Sequence, residues 1–176
     1  MSDRIRKRTK YLTVCAMLAA LGVVLMALGS LVDVLDLTVA VLASMLCIYA
    51  VIEMGGFYPW ALWAVTSILS LVLLPVKTPA IFYAAFAGFY PILKEKLERL
   101  PRVLAWVLKL VVFHLSLGAI VLIYKLFLPA GLEEEFPFFW LVLYALSLVA
   151  FVIYDFALTR LITFYLIRLR HRFRIR

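Results

Sequence analysis

From Tyr11 to Val32 the chain runs for 22 residues without one charged side chain. A helix needs about 20 such residues to cross the hydrocarbon of a bilayer. Five more apolar runs follow, at Leu37 to Met54, Phe57 to Leu74, Ala80 to Leu93, Val103 to Leu128 and Phe138 to about Tyr165. Six crossings consume nearly all of the 176 residues, so no stretch remains for a soluble catalytic or nucleotide-binding domain. With 67% hydrophobic and 16% charged residues, the chain lacks the polar side chains to cover a water-facing surface. The expected fold class is an all-α integral membrane protein, a bundle of six transmembrane helices, placed as a multi-pass protein in the cell (cytoplasmic) membrane of a bacterium.

Short polar or helix-breaking segments separate the runs: Asp33 to Asp36, Gly55-Gly56, Pro75 to Pro79, the charged Lys94 to Arg102, and Pro129 to Pro137. Residues 1–10 read as a basic cytoplasmic arm, 11–165 as the six-helix domain and 166–176 as a basic cytoplasmic tail. The first run is too long for the apolar core of a secretory signal, which spans about 7 to 15 residues, so it reads as a retained helix despite the cleavage-like Ala27-Leu28-Gly29. The fourth run has only 14 residues and reaches about 21 Å at 1.5 Å per residue. Cys15 and Cys47 lie inside apolar runs and form no metal-ligand or disulfide pattern.

Orientation follows from the cations, because short cytoplasmic loops retain Lys and Arg. With both termini inside, 14 of the 18 basic residues fall in the N-terminal arm, the Lys94 to Arg102 loop and the Arg168 to Arg176 tail. The outer loops then hold only Lys77 and Lys125, against Asp33, Asp36 and Glu133 to Glu135. The formal charge of +8 makes a bilayer with anionic headgroups the natural partner of these basic segments. The alternating Arg168 to Arg176 tail has no nucleic-acid-binding fold behind it, so no nucleic acid is expected.

Three groups of residues carry functional readings. On the first helix Thr13, Ala16, Ala20, Val23, Ala27 and Ser30 recur at spacings of three and four. Such small residues let helix backbones approach closely in lipid, either to dock a partner or to pack within the bundle. Towards the cytoplasmic ends of their helices lie Glu53, Lys109 and Asp155, with His114 near the middle of the fifth. Intramembrane charges are costly alone, so a Lys109 to Asp155 ion pair beside Glu53 is the economical reading and a proton relay including His114 the sharper one. On the outer side Asp33, Asp36, Thr38, Ser67, Ser70, Lys77, Thr78, Tyr83, Tyr124, Lys125 and Trp140 are candidates to line a small-molecule cavity. Interfacial anchoring competes with that reading for the aromatics, and headgroup snorkelling for Lys77.

A six-span chain with inside termini, a basic N-terminus and the Ala16-xxx-Ala20 pair resembles the S component of an energy-coupling factor transporter. The stretch Gly88-Phe-Tyr-Pro-Ile-Leu-Lys94 likewise resembles bacterial S-component-like proteins of unassigned substrate. The resemblance implies a subunit that binds a small molecule such as a vitamin near its outer face. It implies docking through Ala16, Ala20, Val23 and Ala27 onto a transmembrane T component driven by two ATPase subunits. An MreD-like scaffold for cell-envelope morphogenesis shares the size and span count, and a proton-coupled carrier built on the intramembrane charges is a third reading.

No HExxH, GxSxG, GxxxxGK[ST] or GxGxxG motif occurs, so no catalytic residue, cofactor or metal is assigned and the chain is not expected to be an enzyme. The orientation is testable by reporter fusions. A green fluorescent protein at either terminus is expected to fluoresce, alkaline phosphatase inserted after Lys77 to be active, and the same phosphatase after Arg99 to be inactive.

Overall fold

The computed structural model describes residues 2–30, 35–127 and 138–169, and every regular element among them is helical. The helices are α1 (Ser2–Gly29), α2 (Asp36–Glu53), α3 (Tyr58–Leu73), α4 (Thr78–Phe82), α5 (Tyr90–Leu97), α6 (Arg102–Phe127) and α7 (Phe139–Phe164). Four of them, α1, α2, α6 and α7, are long and apolar enough to cross a membrane. α3 is apolar but has 16 residues. The protein is therefore a helical membrane protein, with two compact units, Met1–Ile120 and Val121–Arg176.

The first unit sorts its side chains by size more than by polarity. Buried positions on α1 are Cys15, Ala19, Val23 and Met26, one helical stripe, while Leu12, Met17, Leu21, Val24 and Leu28 are exposed. α2 buries Ala40, Ala43, Ser44, Cys47 and Ala50. Large aliphatic side chains gain nothing by leaving lipid for the bundle interior, so the small ones take the helix contacts and the backbones come close. Two glycines mark close approaches of α1: a Cβ at Gly29 would strike Val39, and one at Gly22 would stand 3.2 Å from Thr66. α1 extends back to Ser2, so the basic arm continues the first helix as an unbroken piece of it.

The connection from α2 to α3 runs through Gly55 and Gly56, with φ of 60° and 59°, a left-handed conformation that a β-carbon disfavours. Pro59 then opens α3 in its first turn, where the missing N–H leaves no helix bond unmade. Tyr11 of α1 stacks edge-on against Tyr58 at 5.2 Å between ring centroids, which brings the N-terminal cations to the same end of the unit as this turn. At the other end Gly29 meets Val39 near the start of α2, and α3 gives way to α4.

The expected fourth span, Ala80 to Leu93, is a segmented helix that reaches Leu97. A π-helical turn, Tyr83–Ala87, follows α4, and its widened ring is closed by the Gly88 N–H donating to the Tyr83 carbonyl at 2.8 Å. Pro91 lies just beyond and has no N–H to offer the preceding turn, the ordinary cause of such a break. The Trp63 indole donates to the displaced Ala84 carbonyl at 3.2 Å, replacing a helix bond across the α3 contact. Buried Tyr83 reaches α2, with its hydroxyl 3.1 Å from Cys47 Sγ. α6 buries Ala105, Lys109, Phe113 and Ser116 along one stripe, and Phe113 meets Phe86 edge-on at 6.4 Å.

In the second unit, α7 carries buried Phe151, Asp155 and Leu158 at spacings of four and three, and ends in a π-helical turn, Tyr165–Leu169. Thr159 and Thr163 turn their hydroxyls back onto the carbonyls of Asp155 and Thr159, which hides both within the helix.

A Cβ at Gly88 would stand 2.6 Å from Trp63 and 2.8 Å from Tyr83, whereas one at Gly118 would meet nothing within 4 Å. Gly88→Ala is expected to cost about 1 to 3 kcal/mol through overpacking. Gly118→Ala is expected to be neutral or slightly stabilising. Thermal unfolding in detergent, followed by tryptophan fluorescence, measures both.

Candidate functional site

The densest group of charges lies where α5 ends and α6 begins. Lys94 sits on the same helical face as Tyr90 and Leu97, four and three residues away, so the face that packs the core carries an ammonium into it. Its side chain is 0% exposed and its Nζ lies 2.8 Å from Glu98 Oε1. Lys109, one turn beyond Ala105 on the buried stripe of α6, brings its Nζ to 3.4 Å from the same oxygen. Glu98 is 41% exposed, so one partly exposed carboxylate holds two buried lysines from two helices. Lys109 also stands over the Trp106 ring at 5.3 Å from its centroid.

The charges expected to lie within the membrane fall in both units. Lys109 is buried as expected, with Glu98 as a partner from the turn after α5. His114 lies five residues further on, roughly 140° around the helix, on the exposed side, with Nδ1 2.7 Å from the Leu110 carbonyl. Glu53 closes α2 and is half-buried. Asp155 is buried in α7, in the second unit. Lys94 and Glu98, counted from the sequence as loop charges, are the pair that sequence reasoning missed. The signal was present in the spacing Tyr90, Lys94, Leu97, which continues the α5 stripe past Leu93.

At the opposite end of the first unit, the expected cavity residues divide. Lys77 donates to the carbonyls of Leu71 and Leu74 at 2.8 and 2.6 Å, so its ammonium caps the C-terminus of α3, where the helix dipole and bare carbonyls favour a cation. Ser70 is buried and donates to the Ser67 carbonyl, and Tyr83 is packed against Cys47. Asp36 is buried at the start of α2, Thr38 is exposed and Thr78 is half-buried at the start of α4. Thr66, not foreseen from the sequence, and Ser67 are buried with hydroxyl oxygens that have no hydrogen-bond partner. Tyr124, Lys125 and Trp140 belong to the second unit. Asp33 and Glu133 to Glu135 lie outside the described residues.

The α1 stripe splits as well. Ala16 and Ala20 are exposed, Ala27 is half-buried and Val23 faces the core. Only the first two, with Thr13, are presented outwards. No family model, curated protein or solved structure matches the chain. Chemistry therefore has to be read from the residues. Among the described residues no three His, Cys, Asp or Glu side chains gather to hold a metal ion. What the first unit does offer is a buried ionic clamp at one end and bare hydroxyls on α3.

Breaking a buried ion pair costs about 3 to 5 kcal/mol, and partial exposure of the carboxylate lowers that figure. Glu98→Gln is expected to destabilise the protein by about 2 kcal/mol. Glu95→Gln, which removes only the exposed bridge to Arg99, is expected to cost less than about 0.5 kcal/mol. Melting temperatures of the two purified variants in one detergent check the difference.

Proposed function

We propose that the protein is a substrate-binding subunit of a membrane transporter, similar to an S component, which takes a small molecule and is energised by partner ATPase subunits. The observation that carries this reading is the pair of buried hydroxyls, Thr66 and Ser67, without partners on α3. A buried polar group left unsatisfied costs about 1 to 3 kcal/mol, and a protein retains it where it has a use. A polar substrate entering between the helices supplies the missing acceptors or donors. Outward-facing Ala16 and Ala20 are consistent with α1 meeting a transmembrane partner through a flat, small-residue face.

A membrane scaffold, MreD-like in size and span count, is the second reading. It draws on the capping role of Lys77 and the packing of Tyr83 and Ser70, which tie three expected ligand contacts into the structure itself. Native mass spectrometry of the protein extracted gently from its own membrane separates the two. The transporter reading expects a retained small molecule together with T-component and ATPase subunits, and the scaffold reading expects envelope-synthesis proteins with no ligand. Thr66→Val with Ser67→Ala sharpens the test. The loss of two unsatisfied hydroxyls is expected to leave the melting temperature unchanged or raised while the small molecule is lost. Retention of the molecule by that variant would remove the transporter reading's main support.

A further inference from the structure

We propose that the groove between the start of α3 and the end of α5 is a binding site for the headgroup of a single anionic phospholipid. The groove has a volume of about 460 Å³ and is lined by Gly56, Phe57, Trp60, Glu95, Lys96 and Arg99, among others. That volume falls within the roughly 300 to 1,000 Å³ of small-molecule sites.

Each wall contributes something that a phosphodiester needs. Lys96 holds its Nζ 5.6 Å above the centroid of Trp60, so the indole fixes the ammonium at the groove. Arg99 bonds Glu95 Oε1 through Nη2 at 2.6 Å. A guanidinium has five N–H donors, so this bond anchors the fork and leaves others to meet phosphate oxygens in charge-assisted bonds. Two cations and one carboxylate give the lining a net charge of +1, the complement of one phosphodiester. The left-handed Gly55-Gly56 turn keeps side chains away from that side of the groove.

Placement decides for a lipid over a free phosphate ion. The groove lies at the helix ends, beside an aromatic group of Tyr11, Tyr58, Trp60 and Trp63, the residue types that collect at headgroup depth. Phe57 is 77% exposed at its mouth. From there Val65, Ile68 and Val72 continue along α3 as an exposed apolar stripe, at the three- and four-residue spacing of one helix face. A headgroup in the groove therefore has a hydrocarbon-compatible track for its acyl chains. Inorganic phosphate has no use for it.

The test uses the full-length chain in detergent micelles doped with phosphatidylglycerol or phosphatidylcholine, with bound lipids counted by native mass spectrometry. One phosphatidylglycerol is expected to be retained about tenfold more tightly than phosphatidylcholine, as two well-placed cations would give. Lys96→Gln with Arg99→Gln is expected to abolish that preference, while Arg6→Gln with Arg8→Gln, equal in charge removed, keeps it. Should the double variant unfold, Lys96→Gln alone leaves the Glu95 to Arg99 pair in place and is expected to lower retention about threefold. Equal retention of the two lipids overturns the proposal. So does an equal loss in the two charge variants, which would mark a diffuse surface potential, and so does displacement of phosphatidylglycerol by millimolar inorganic phosphate.

Discussion

Close contact between small side chains holds the first unit together. In lipid, leucine against leucine is worth little more than leucine against an acyl chain, so association depends on how near two backbones can come and how many atoms then touch. Ala19, Ala40, Ala43, Ala50, Ala80 and Ala87 occupy the contacts, and Gly29 and Gly88 occupy the places where even a methyl group is too much. The placement of the polar groups follows from that packing. Ser44, Ser70 and Tyr83 are buried because the helices that bear them are pressed together; the two serines turn their hydroxyls back onto carbonyls of their own helices, and Tyr83 meets the Cys47 sulfur across the packing.

Tight packing leaves little tolerance for irregular backbone, and among its described helices the first unit concentrates its irregularity in one segment. Between Tyr83 and Phe89 the helix widens and breaks ahead of Pro91, and the resulting bare carbonyl of Ala84 is taken by Trp63. Gly88 makes that possible by leaving room for the indole. Beyond the break, α5 and the turn after it present two sides: Lys94 is buried, and Glu95, Lys96 and Arg99 line the groove.

Much of this architecture was legible in the sequence, because uninterrupted apolar runs and the turn residues between them leave helices as the only way to satisfy the backbone in lipid. The Gly55-Gly56 turn, the break at Pro75 to Pro79 and the long helices fall where the apolar runs and their breakers place them. The sites were less legible. Sidedness in a membrane helix is not written as polar against apolar, so Ala16 and Ala19 look alike in the sequence although one faces outwards and the other the core. Lys77 looked available to a ligand because its spacing to the α3 carbonyls depends on how the chain turns at Pro75. Lys94 looked like a loop cation because hydropathy ends the run at Leu93, whereas the helix itself runs on to Leu97. Thr66 drew no notice, since a lone threonine in an apolar helix ordinarily bonds its own backbone.

The shared carboxylate of Glu98 also bears on how the chain enters its membrane. A lysine buried on a solitary helix without an acid beside it is costly in lipid, which disfavours partitioning of that helix by itself. Lys94 and Lys109 lie on successive helices, and the acid that offsets both sits in the turn between them, four residues from one and eleven from the other. The helix pair thus shares its carboxylate only as a hairpin, which lowers the charge of the three groups to +1. Partitioning of α5 and α6 together, after the turn has emerged from the ribosome, is the order of biogenesis that such a spacing favours.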